Sequence, residues 1–305
     1  MLQFILKRLG LALLVALTVS FISFILLFLS GDPASALAGE SATDQDVAAI
    51  RELYGFDRPM LVQYASWLFD ALRGDFGESY YFRLPVASLL AERLQVTMLL
   101  GLCGISFALL TAVPLGVVAA IRPNSMIDRF ALFLSVAGQA LPSFWFGLIL
   151  IVAFSIKLQW LPASGTATWK HFIMPTIVLG YYAMPAIMRL TRGGMLEVLS
   201  SDYIRTARAK GASEGRVMFK HALRNAIIPV VSLAAVQMGF MLGGSIVVES
   251  IFALHGAGYL AWESIARNDL PTVQALILVF SMFYIVFTFL ADVLNAWLDP
   301  RMRAG

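Results

Sequence analysis

The stretch of this chain whose residue types and spacing could act on another molecule is Ser201–Asn225. Its cations, Arg205, Arg208, Lys210, Arg216, Lys220 and Arg224, are interleaved with Ala207, Ala209, Gly211 and Gly215. The two alanines leave room for a second surface to approach. The run is too long for a simple turn and too patterned for a floppy linker. It reads as two short helices broken at Gly211, which suits a helix-ending position needing φ > 0. Ser201 or Asp202 can cap the first helix and Ser213 the second. On composition alone, the same loop reads as well as a basic segment that fixes topology or binds anionic headgroups.

Other chemistries are poorly served. There is no G-x-x-x-x-G-K-[ST] phosphate loop, so ATP hydrolysis is not expected of this chain, and no G-x-S-x-G elbow. No catalytic residue is assigned. His171, His221 and His255 are far apart without ligand spacing, so no metal site is expected. The lone Cys103 sits in an apolar run and reads as a packing residue. Gln139, Ser143, Gln237 and Ser245 are polar positions inside apolar stretches. They are candidates to line a pore, or else to hydrogen-bond between helices. Asp292 and Glu249 stand near the ends of apolar stretches. The scarcity of ionisable groups at mid-depth argues against proton- or ion-coupled transport.

The elements that must position these residues are membrane helices. The chain has 305 residues, 59% hydrophobic and 13% charged, with mean hydropathy +0.80. Soluble domains carry about 25% charged residues. Six stretches approach the ~20 residues needed to cross hydrocarbon: Leu9–Leu29, Val96–Ile121, Phe130–Ile156, Phe172–Leu190, Ala226–Val248 and Val273–Trp297. Lys7-Arg8 and Ala34-Ser35-Ala36 imitate a signal peptide. Leu9–Leu29 exceeds the ~7–15 residues of such a segment and is read as an uncleaved span. The net charge of +3 is small, so charge placement carries the information. The N-terminus, loops 122–129 and 189–225 and the C-terminal tail hold 14 of 22 Lys+Arg but five of 19 acids. Segment 31–95 holds ten acids and five bases. Both termini and loop 189–225 are therefore expected in the cytoplasm, as an even span count requires. Residues 1–30 form the tail and first span, 31–95 an external insertion, and 96–300 a five-helix core. Within the insertion, Asp44–Leu53 and Val62–Leu72 read as short amphipathic helices. Pro114, Pro142 and Pro185 interrupt spans, as kinks or points of flexure. Gly239–Gly243 offers a small-xxx-small face.

The basic loop resembles the EAA loop of ATP-binding-cassette (ABC) importer permeases, in the variant of the dipeptide/oligopeptide/nickel permease family. Tyr203–Gly211 matches that family's "YxRTARAKG" and His221–Pro229 its "HALRNAxxP". Arg205 stands where the general EAA pattern has glutamate, a departure shared by the peptide-type branch. Further matches run along the chain: Gly31-Asp32-Pro33, Leu53–Pro59, Gly74–Ser79 with Pro85-Val86, Gly243–Glu249 with Ile251-Phe252, and Asp269-Leu270-Pro271. Two positions depart from the family: Asn268 replaces an arginine, and Leu254-His255 replace an aromatic residue and proline before Gly256-Ala257-Gly258.

The resemblance implies an all-α integral membrane protein with the type I ABC importer permease fold. It would have six transmembrane helices and an external helical insertion after the first. It implies a multi-pass bacterial inner-membrane subunit, both termini cytoplasmic, that passes peptide-like solutes by alternating access. Loop 195–225 would couple to ATPase subunits through Tyr203, Arg205, Thr206, Ala207, Ala209, Gly211, Glu214, Arg224 and Asn225. The chain itself would bind no cofactor; ATP and Mg would sit on two partner ATPases. A second homologous permease, an external solute-binding protein and membrane lipid would complete the partners, with no nucleic acid. Glu249, His255 and Asp269 are candidate contacts for the binding protein. Nickel chelates, opines or glutathione-type compounds stay open as alternative cargo. An ion-coupled secondary carrier and a plain membrane anchor are the competing classes.

Overall fold

The computed structural model describes residues 2–30, 32–39 and 42–298. Gly31 and the tail cations Arg301 and Arg303 lie outside the described residues, as does the side chain of Gln139. The first helix is α1 (Leu2–Ser30). Then come α2 (Pro33–Ala38), α3 (Asp44–Leu53) and α4 (Met60–Leu72). A long α5 (Val86–Ile121) leads to α6 (Met126–Ala140) and α7 (Ser143–Leu150), which continues as a π-helix over Ile151–Lys157. Next are α8 (Ile173–Leu199), α9 (Asp202–Ala209), α10 (Glu214–Arg216), a π-helical stretch Val217–Leu223, and α11 (Arg224–Ala226). The chain then forms α12 (Ile228–Ile251), α13 (Ala257–Ala266) and α14 (Leu270–Leu298).

Among the described residues, five continuous segments are long and apolar enough to cross a membrane: Ile5–Leu26, Val86–Ile121, Trp169–Leu199, Ile228–Ile251 and Leu270–Ala296. The expected span Phe130–Ile156 is instead broken. Leu141 is extended (ψ 123°) and Pro142 starts a new helix, because a proline ring disfavours the α conformation of the residue before it. Only the 15-residue Ser143–Lys157 continues from there as an apolar helix. Pro114 and Pro185, by contrast, lie inside unbroken helices. Helix α5 begins at Val86, ten residues before the expected span. Its 36 residues reach about 54 Å, more than the ~30 Å hydrocarbon core. The surplus turns pack Val86, Leu89 and Leu90 against Leu260, Ala261 and Leu276.

Helix α8 is the centre of the bundle. It meets α5 nearly backbone to backbone: a Cβ on Gly180 would lie 2.5 Å from the Gly104 carbonyl, and one on Gly116 2.8 Å from that of Met188. Helices α1 and α14 are peripheral, each with 17% of its apolar window buried. Two ion pairs and one apolar cluster mark one side of the bundle. Arg8 pairs with Asp292 at 2.8 Å. Arg192 grips Asp128 with two bonds of 2.6 and 2.8 Å. Ile204, Val217 and Ala222 pack on Val117, Ala120 and Met195. The start of α1, the end of α14 and the Ser201–Asn225 segment therefore share one side of the bundle. Helix α4 packs near the other side, where Tyr64 bonds Ser20 at 2.7 Å and stacks edge-on against Phe21 and Phe24.

Candidate functional site

The Ser201–Asn225 segment folds as a helix–turn–helix unit seated on the ends of α5 and α8. Gly211 has φ +76°. Its N–H donates to the Arg208 carbonyl at 2.9 Å, and that of Ala212 to the Ala207 carbonyl at 3.2 Å. This pair of bonds is the Schellman ending, which needs the left-handed residue that glycine adopts without strain. Ser201 and Ser213 occupy the N-cap positions, but neither side chain makes a cap hydrogen bond. The Ser201 hydroxyl turns back to the Val198 carbonyl instead, so the hydroxyl capping expected from sequence is corrected.

Two clasps hold the unit. Arg208 donates to both Glu214 oxygens, at 2.8 and 3.1 Å, across the turn. Asn225 Nδ2 donates to the Tyr203 hydroxyl and the His221 carbonyl, both at 2.9 Å. Arg208 and Glu214 are exposed, and the Arg208 hydrogen bonds hold the Glu214 carboxyl below its ordinary pKa while raising that of Arg208. Thr206 bonds within its helix to the Asp202 carbonyl, and Arg205 pairs with Asp202 on an open surface. Ala207 is half-buried, whereas Ala209, Gly211 and Arg224 are exposed. Phe219, absent from the sequence expectation, is 70% exposed on the same unit. Its only sequence signal was an aromatic residue among cations.

On the opposite side, the segments around Thr97, Glu249 and Tyr259, and those around Ser79 and Asp269, bind one another. Glu249 is fully buried and accepts from Thr97 Oγ1 and the Tyr259 N–H, both at 2.8 Å. Thr97 Oγ1 in turn accepts from the Ala257 N–H at 2.8 Å. Asp269 is also fully buried. It accepts from Ser79 Oγ at 2.6 Å, the Tyr80 N–H at 2.8 Å and Thr272 Oγ1 at 2.7 Å. The Tyr80 phenol is pushed up to about 12 by burial, with Tyr54 and Asp269 adding to the shift. As candidate binding-protein contacts, Glu249 and Asp269 are corrected: their carboxylates face inward because buried charge needs several fixed donors. His255 is exposed, and its carbonyl accepts from Arg93 at 3.1 Å.

A cleft of about 860 Å³ opens along α8, α12 and α14. Ser143 and Gln237 line it, as do Gly243 and Gly244, where added side chains would meet open space. Tyr182 and Phe240 also line it, 63% and 58% exposed. Ser245 is 1% exposed and donates to the Leu242 carbonyl. It belongs to the packing around Glu249, not to the cleft, and this expectation is corrected. Among the described residues, no group of three His, Cys, Asp or Glu could hold a metal ion.

Residues 112–304 match the family described as "Binding-protein-dependent transport system inner membrane component". Residues 1–101 match "Binding-prot-dependent transport system membrane comp, N-term". The chain is 41% identical over 304 residues to the "Glutathione transport system permease protein GsiC" of Salmonella paratyphi A, covering 99% of each chain. It is 40% identical to the protein of the same name in Escherichia coli K12, with the same coverage. Its fold is similar to a chain of the MetNI methionine ABC transporter in an inward-facing form. There the TM-score is 0.58 at 19% identity, covering 69% of this chain and 96% of that one. A chain of an amino acid ABC transporter matches at TM-score 0.50 and 16% identity, covering 70% and 94%.

Proposed function

Because the chain belongs to the binding-protein-dependent transport system inner membrane component family and is a permease subunit of an ABC importer, we propose that its cargo is a short peptide-like solute of the glutathione class. The subunit is a multi-pass inner-membrane protein, and its family works with ATPase and binding-protein partners. The observation that carries the mechanistic reading is the pre-folded Ser201–Asn225 unit, clasped at Arg208–Glu214 and anchored by Ile204 and Val217 on α5 and α8. A rigid surface unit bolted to two central helices can pass a pull from a docked ATPase into the bundle. Closure of two ATPases on ATP would then shift the population between inward- and outward-open arrangements.

On this reading, Tyr203, Arg205, Thr206, Ala207, Ala209, Gly211, Glu214, Arg224 and Asn225 form or support the docking face, with ATP and Mg held by the ATPases. The cleft with Ser143 and Gln237 is one wall of the pathway, and a second homologous permease supplies the other. Both chain ends lie in the cytoplasm with the coupling unit. His255 is the member of the outer trio whose side chain is free to meet a binding protein. A secondary carrier is not favoured, since Glu249 and Asp269 are each held by fixed donors near one face of the bundle.

The test is ATP-driven uptake into proteoliposomes containing the permease, its genomic neighbour permease, ATPases and binding protein. Labelled glutathione, a dipeptide and a nickel–histidine chelate are compared. Uptake of glutathione or dipeptide is expected. Transport of the chelate alone would reject the peptide reading while leaving the importer assignment in place.

A further inference from the structure

A second cavity of about 360 Å³ lies between the external helices and the outer end of α14. Its lining is chemically mixed. Trp67 of α4 supplies an aromatic wall, Arg58 and Arg83 bring cations, and Asp70, Asp75 and Glu78 bring carboxylates. Asp75 accepts from the Gly77 N–H, whereas the side chains of Arg58, Arg83, Asp70 and Glu78 have no hydrogen bond or ion pair among the described residues. Gln274, in the second turn of α14, lines the same cavity at 5% exposure, and its Nε2 finds no acceptor among the described residues. A buried amide donor without a partner carries a desolvation cost that a ligand's acceptor would remove. Arg83 adds a further sign. It is a non-glycine residue at φ +55°, a conformation that is uncommon for such residues and tends to gather at functional sites.

We propose that this cavity is an outer holding site for a short zwitterionic peptide. The ligand's carboxylate would meet Arg58 and Arg83, its ammonium Asp70 and Glu78, and one amide carbonyl the Gln274 Nε2. Trp67 would cover an apolar part. Cations and carboxylates together suit a ligand carrying both charges, whereas a plain anion would meet repulsion from the carboxylates and a plain cation from the arginines. The volume falls within the ~300–1,000 Å³ of small-molecule pockets. Position supports transit. Phe24 of α1 and Gln274 of α14 line this cavity, while Val19 of α1 and Ser281 of α14 line the central cleft. The two spaces thus lie on the same two helices, about 10 Å apart along α14. The inference rests on the peptide-like cargo proposed above.

The purified importer in lipid nanodiscs, without its binding protein, can be titrated with labelled tri-alanine and with glutathione. Saturable binding of at least one is expected, weakened about tenfold by Gln274→Leu. The exposed pair Arg58→Gln/Arg83→Asn should weaken it similarly, without touching a buried position. N-acetyl-tri-alanine amide, which lacks both charges, should not compete. Absence of binding by the wild-type complex, binding unchanged in both variants, or equal competition by the blocked peptide overturns the site. Proteoliposome uptake separates the two readings: uptake without nanodisc binding keeps the peptide cargo and rejects the site, and loss of both rejects both.

Discussion

Glu249 is placed by its donors more than by its own sequence position. Gly256 and Gly258 are the residues that let the loop approach it. A Cβ on Gly256 would stand 2.5 Å from Glu249 Oε2 and 2.6 Å from Thr97 Oγ1. Gly256→Ala should therefore destabilise the outer end of α12 by about 1–3 kcal/mol, the usual cost of overpacking. The thermal midpoint of the detergent-solubilised complex should drop, while Gly243→Ala, which opens onto free space, leaves it alone. Equal midpoints for the two variants would falsify the clasp. Glu214 makes a second residue-scale case. Its carboxyl is depressed by the Arg208 hydrogen bonds. What it contributes to the folded loop is therefore complete above the ordinary carboxylate range and is lost as pH falls through the depressed value. Protection of the 202–216 amides against hydrogen exchange, relative to their intrinsic rates, should fall in acid, and Glu214→Gln should reproduce that loss at neutral pH. A rate for the wild type that does not change with pH beyond the intrinsic exchange dependence would count against it.

The elements divide into those that hold and those that can give. Helices α5 and α8 hold: their contact at Gly104 and Gly180 leaves no space for a side chain. The broken α6–α7 segment with its π-helical continuation is the irregular piece, and π-helical turns are frequent at functional sites. The Ser201–Asn225 unit rides on the rigid pair, so on the proposed coupling role a disturbance at its exposed tip should affect communication more than assembly. Gly211→Glu places a side chain at φ +76° and a new charge on the proposed docking face. We expect complexes that still assemble in the membrane but lose solute-stimulated ATPase and uptake. Purified Gly211→Glu complexes that transport as well as wild type would remove the unit from the coupling route.

As a whole, the molecule has one polar side with paired charges and another side where buried carboxylates tie loops together. Arg8–Asp292 and Asp128–Arg192 belong to the first, Thr97–Glu249 and Ser79–Asp269 to the second. From cation placement we propose that the first side faces the cytoplasm. Single cysteines introduced in a Cys103→Ser background test this. Asp44→Cys should react with a membrane-impermeant maleimide in intact spheroplasts, and Ser213→Cys only after permeabilisation. The reverse pattern would invert the topology. The cleft bounded by the exposed Tyr182 and Phe240 is open along one side, as the proposed pathway shared with a second permease requires.

Five of the six expected spans, the short helices Asp44–Leu53 and Val62–Leu72 (the latter begins at Met60), and the turn at Gly211 were legible because each depends on local properties. Apolar length, helical periodicity and backbone freedom are written in neighbouring residues. The break at Pro142 was visible as a proline, yet nothing local distinguished it from Pro114 and Pro185, whose helices run on. The roles of the polar residues were not legible. Ser79 meets Asp269 across 190 positions and Thr97 meets Glu249 across 152, and a carboxylate's exposure depends on which distant donors the fold brings to it. For that reason Glu249, Asp269 and Ser245 read as outward or pore-facing in the sequence and are buried in the structure. The basic loop came through in both: its surface is decided by its own residues, and the tertiary structure added the floor of α5 and α8 on which it stands.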